Sequence, residues 1–98
     1  MFDLLTWLQN WYQIQCDGEW EHEYGIKIYT LDNPGWGIKI DLIGTNLEKI
    51  QIDYKLVEKA EHDWFGYSVK DSVFDGGGDG KKLDTLITIF KGLVESNK

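Results

Sequence analysis

The sequence predicts an α+β domain: an antiparallel four-stranded meander, flanked in the chain by an N-terminal and a C-terminal helix and folded as a two-layer sandwich. Three observations lead there. Apolar residues recur at spacings of three and four near both ends of the chain, and between those ends they alternate with polar residues at period two. Short clusters of Gly, Pro, Asn and Asp separate the alternating segments, as turns between consecutive antiparallel strands require.

The first helix is read from Leu4, Leu5, Leu8, Trp11 and Tyr12, with Asp3 placed to cap its start. Cys16-Asp17-Gly18 ends it, because glycine tolerates the left-handed conformation that stops helices. Strand character begins at Tyr24 and runs to Leu31, with Ile26 and Ile28 on one face and Lys27 and Tyr29 on the other. In the turn Asp32-Asn33-Pro34-Gly35, Pro34 sets φ and Gly35 is expected to take positive φ. Trp36, Ile38, Ile40 and Leu42 then alternate with Gly37, Lys39 and Asp41, and Gly44-Thr45-Asn46 forms the next turn. Ile50, Ile52, Tyr54 and Leu56 define a third strand, and Trp64 to Lys70 a fourth. Asp75-Gly76-Gly77-Gly78-Asp79-Gly80 reads as a flexible connector. The last helix carries Leu83, Leu86, Ile87, Phe90, Leu93 and Val94 on one stripe. Each helix has a single apolar face, so each needs a sheet face to cover it.

Residues 1–98 form one expected domain, since no segment has linker composition. A chain of this length buries roughly two thirds of its unfolded surface. With 42% hydrophobic residues it can build a core without staples, which excludes a disordered tail. No apolar run approaches the roughly 18 residues that cross a bilayer. Met1-Phe2-Asp3-Leu4-Leu5 lacks the basic start of a secretory leader, and the single Cys16 fits a reducing compartment. A cytoplasmic protein, not bound to membranes, is therefore expected.

Seventeen acidic residues against ten basic ones give a net charge of −7, and every basic residue is lysine. Without arginine the chain lacks the bidentate fork suited to phosphate and guanine. Its charge repels nucleic acid at long range, so nucleic acid is excluded as a partner and a basic protein is favoured. The bland alternative is that the charge only maintains solubility.

The densest polar stretch runs from Gln15 to Gly25. A Cys16–His22 nucleophile would need the base within hydrogen-bond reach of sulfur and a third group orienting it. The spacing permits that pairing without indicating it, and Cys16 sits where a helix ends rather than begins. Glu21-His22-Glu23 and Glu61-His62-Asp63 each place a histidine between carboxylates and each open a predicted strand, so His22 and His62 could converge on a metal. Their spacing matches no closed metal motif, and charged strand ends that keep sheet edges apart explain them as well. No two acids stand out as a glycosidase pair. The Gly76–Gly80 run lacks the Gly-Lys-Ser/Thr ending of a phosphate loop. A small metal-binding or Cys/His-dependent enzyme is thus the alternative to a binding protein. No catalytic residue, metal or cofactor is expected.

The string Trp11-Tyr12-Gln13-x-Gln15-Cys16-Asp17-Gly18-x-Trp20-Glu21-His22-x-Tyr24-Gly25-Ile26, followed by Thr30-Leu31-Asp32-Asn33-Pro34-Gly35-Trp36, resembles the immunity protein 53 family. Glu61, Asp63, Trp64 and the Phe74–Gly78 stretch fit the same pattern. The resemblance covers nearly the whole chain. It implies a bacterial polymorphic-toxin or contact-dependent system, in which the protein binds and neutralises a cognate toxin in the producing cell. It implies no catalysis and transfers no contact residues.

Many such toxins are nucleases with basic clefts, which an acidic, aromatic-rich domain can occupy as a nucleic-acid decoy. The candidate contact residues are Asp17, Glu19, Trp20, Glu21, His22, Glu23 and Asp63. Trp20, ringed by acids, has two available placements: an exposed anchor for a basic partner, or a lid folded back on the first helix. Trp11 and Trp36 read as core. A monomer or small homo-oligomer is expected.

Overall fold

A computed structural model describes residues 3–97; Met1 and Phe2, which belong to the run tested for a leader, and Lys98 lie outside them. The elements are α1 (Leu4–Gln15), α2 (Trp20–Glu23), β1 (Ile26–Leu31), β2 (Gly35–Asp41), β3 (Ile52–Ala60), β4 (Asp63–Lys70), β5 (Val73–Gly78) and α3 (Leu83–Ser96). As the spacing predicts, α1 starts at Asp3, whose carboxylate accepts the Leu5 N–H at 3.0 Å and the Thr6 hydroxyl at 2.8 Å. The α+β class and the helix at each end hold.

The sheet has five strands rather than four, all antiparallel, in the order β1-β2-β5-β4-β3. The expected meander is therefore broken. After the β1–β2 hairpin the chain crosses to the far edge, and β3, β4 and β5 return as a second antiparallel unit that closes against β2. The extra strand is the segment read as a flexible connector. Gly76, Gly77 and Gly78 pair with Ile38, Gly37 and Trp36 on one side and with Tyr67, Gly66 and Phe65 on the other. Glycine has low strand propensity, so local pattern hid this element. It works here because Leu86 of α3 and the Ile38 side chain pack directly over Gly76, filling the space a side chain would take.

The two long helices, α1 and α3, lie on one face of the sheet. Ile38, Ile40, Val69 and Phe74 from the strands meet Leu8, Trp11, Leu86, Ile87 and Phe90 from the helices in one buried cluster. Phe90 is its hub, with Trp11 at 4.9 Å, Phe74 at 5.2 Å and Trp7 at 6.0 Å between ring centroids. Among the described residues no helix covers the opposite face, which displays Lys27, Tyr29, Lys39 and Asp75.

Smaller expectations also change. Gly35 does not take positive φ; among glycines only Gly18 and Gly44 do. Gly35 is required instead by close approach, because a Cβ there would collide with the Gly78 carbonyl. Trp36 is only half-buried and donates its indole N–H to the Gly80 carbonyl at 3.1 Å. In β3 an extra residue between Ile52 and Lys55 breaks the ladder with β4. Ile52 packs against the core, whereas Tyr54 and Leu56 are exposed, so the expected single apolar face does not form.

Candidate functional site: an acidic helical turn

The Glu21-His22-Glu23 triplet between α1 and β1, expected to open a strand, does not do so. It folds into the single turn α2, with Glu21, His22 and Glu23 helical. The backbone is turned by Gly18 at φ 95°. Asp17 then bridges forward: its carboxylate accepts the N–H groups of Glu19 and Trp20, both at 2.9 Å. Glu21 bridges back, accepting the Asp17 N–H at 3.0 Å and the Gly18 N–H at 3.0 Å. Two carboxylates thereby take up the free N–H groups of a short helix start. The Trp20 and Glu19 N–H groups hold the Asp17 carboxyl below its usual range. The Glu21 carboxyl is likewise lowered, by its own backbone N–H and those of Gly18 and Asp17.

Trp20 adopts the lid placement. It is 7% exposed and packs on Trp11, Tyr12 and Tyr24, with ring centroids 6.0 to 6.3 Å apart. Its indole N–H donates to the Ile43 carbonyl at 2.7 Å. An exposed anchor is therefore overturned: the ring is core, and it pins the acidic turn to the segment after β2. Glu19, His22 and Glu23 are left facing solvent around a concavity of about 600 Å³, floored by Trp20, Tyr24, Ile43 and Gly44.

Asp63 is not part of this patch. Glu61 and His62 lie in the β3–β4 turn, beside Asn33 and Pro34 at the start of β2, whereas the Trp20 turn docks beyond the end of β2. The seven residues of β2 separate the two by roughly 20 Å. His22 and His62 therefore do not converge, and among the described residues no group of three or more His, Cys, Asp or Glu side chains is arranged to hold a metal. The Cys16 thiol donates to the Tyr12 carbonyl at 3.3 Å, the ordinary back-bond of a helix end, and is not aimed at His22.

A residue that sequence reasoning overlooked organises that second end. Asp79 is buried, and its carboxylate accepts the Lys81 N–H at 2.8 Å, the Trp64 N–H at 2.9 Å and the Lys82 ammonium at 2.9 Å. Lys82 also reaches Asp63 at 2.8 Å. The Lys82 ammonium, with the Lys81 and Trp64 N–H groups, lowers the Asp79 carboxyl to about 2, and Asp63 and Asp79 together raise Lys82. The available signal was an aspartate just before an amphipathic helix, a position where carboxylates bind free backbone N–H groups. Its place in a glycine run obscured it.

Fold and site together define a two-layer α+β domain on a five-stranded antiparallel sheet, with a pinned acidic turn at one end. The chain belongs to the Immunity protein 53 family, whose model matches residues 5–95, and that membership supports an immunity role. No curated protein and no solved structure matches it. Among the described residues no helix is long and apolar enough to cross a membrane.

Proposed function

We propose that this protein is the antidote to a cognate bacterial toxin, that the toxin is a nuclease-type effector with a basic cleft, and that the turn from Asp17 to Glu23 contacts it. The observation that carries the reading is the turn's construction. Asp17 and Glu21 are spent on backbone N–H groups and Trp20 on the core, which leaves Glu19, His22 and Glu23 held outward on a rigid support. Charges carried on a backbone that is already ordered recognise a partner with less entropic loss. The net charge of −7 draws a basic cleft toward them. Trp20 acts as the support and not as the contact. Asp63, tied to Lys82 at the other end of β2, contributes to fold rather than to this surface. Cytoplasmic residence follows from this role, because the toxin must be met in the cell that makes it.

The test uses the cognate toxin that this reading requires. Glu19→Lys with Glu23→Lys should slow association by tenfold or more at low salt, weaken protection of toxin-expressing cells, and leave the melting temperature within a few degrees. Unchanged association and protection in that double variant would place the toxin surface elsewhere.

A further inference from the structure

β3 is exposed along almost its whole length. It is an edge strand paired only with β4, and its residues from Asp53 to Ala60 are all solvent-exposed. It carries Tyr54, Leu56 and Val57, at 59%, 52% and 40% exposure, three of the large hydrophobics left outside the core. Among the described residues its outer backbone groups have no strand partner. On a chain of net charge −7 this strand is neutral, with Asp53 and Glu58 balanced by Lys55 and Lys59. Two like-charged copies meet with least repulsion on such a surface.

We propose that β3 is a homodimer edge, on which two copies pair antiparallel about a two-fold axis at Leu56. Charge selects both the occupant and the register. The ladder with β4 is regular only from Lys55 to Glu58, with an irregularity on either side. An antiparallel two-fold pairing places one residue of this run opposite itself, because residues facing each other must lie on the same face of the sheet. Centring on Lys55 or Glu58 opposes like charges at the axis. Centring on Val57 sets Lys55 against Lys59 of the other copy twice. Centring on Leu56 alone opposes no like charges: leucine meets leucine, each Tyr54 meets Glu58 of the other copy, and each Lys55 meets Val57. The irregularities on either side confine the pairing to a short segment, which ends it as a closed pair instead of an open ladder. The segment is small, so the dimer is weak and concentration-dependent. The acidic turn is built on α1 and the far end of β2, not on β3, so the proposal stands or falls independently of the toxin reading.

Sedimentation equilibrium of the full chain, from micromolar to millimolar concentration, should show a reversible monomer–dimer equilibrium. Leu56→Lys places two ammonium groups on the axis; it should weaken the dimer by at least tenfold while leaving the melt of dilute protein unchanged. In a Cys16→Ser background, oxidation should cross-link Leu56→Cys into a covalent dimer several times faster than Lys55→Cys or Glu58→Cys, since only position 56 meets itself. A monomer across the whole range would overturn the proposal. So would a dimer indifferent to Leu56→Lys, or cross-linking equally fast at all three positions.

Discussion

At the scale of single residues, the two side chains that matter most to the site act inward. Trp20 fills a pocket between Trp11, Tyr12 and Tyr24 and is bonded to Ile43, so Trp20→Ala removes a buried ring together with its hydrogen bond. It should lower stability by about 3–5 kcal/mol in chemical denaturation, with loss of protection following from that loss. Cys16→Ser should retain protection and most of the stability, because the thiol only back-bonds to Tyr12 and a hydroxyl can do the same. Asp79 sets an acid limit. Its carboxyl lies near 2 in the folded protein against an ordinary 3.8, so its stabilisation is fully present above about pH 4 and is lost as pH falls toward 2. Denaturation midpoints measured from pH 5 to pH 2 should fall, and Asp79→Asn, less stable at pH 5, should show a shallower fall across the same window.

Among the elements, β5 repays attention because a glycine-rich segment became the middle of a sheet. If Gly76–Gly78 were a connector, small substitutions there would be silent. In the sheet they must differ by face. A Cβ at Gly76 already presses Leu86 at 3.1 Å and Ile38 at 3.3 Å, so Gly76→Val should cost about 1–3 kcal/mol or more through overpacking beneath α3. Gly77 points to the open face, where the nearest atom to a Cβ is 3.8 Å away, and Gly77→Ala should be neutral or gain about 0.5–1 kcal/mol. Thermal melts of the two variants separate a strand from a loop. Flanking Gly77 in the ladder, Gly37 and Gly66 are overlaid by the rings of Tyr29 and Tyr54, which supply the cover that two central strands lack.

For the molecule as a whole, the distribution of charge decides behaviour more than its total. Glu19 and Glu23 stand free at one end, whereas Asp63 and Asp79 at the other are both ion-paired with Lys82, which leaves one negative charge on the three groups. Steering by the free end predicts that association with the toxin slows markedly between low and physiological salt while dissociation changes much less. Stopped-flow association measured at several ionic strengths checks this. A rate flat with salt would indicate an apolar interface.

Both helices, the β1–β2 hairpin and β4 were legible in the sequence, because each announces itself within a few residues through periodicity, a capping aspartate or a turn. Family membership was legible too, in the Gln15–His22 string. The acids of the turn could be listed from that string, but not what each one does. The bonds of Asp17 and Glu21 reach N–H groups only two to four residues away, whereas the docking of α2 against Ile43 was decided by tertiary structure alone. Tertiary structure alone also turned Trp20 inward, made a strand of three consecutive glycines, and separated His22 from His62 by the length of β2. These outcomes share one physical reason. Each is settled by contacts between segments distant in the chain, where the packing of Leu86 over Gly76, or of Trp20 against Ile43, outweighs the local preference of the residue itself.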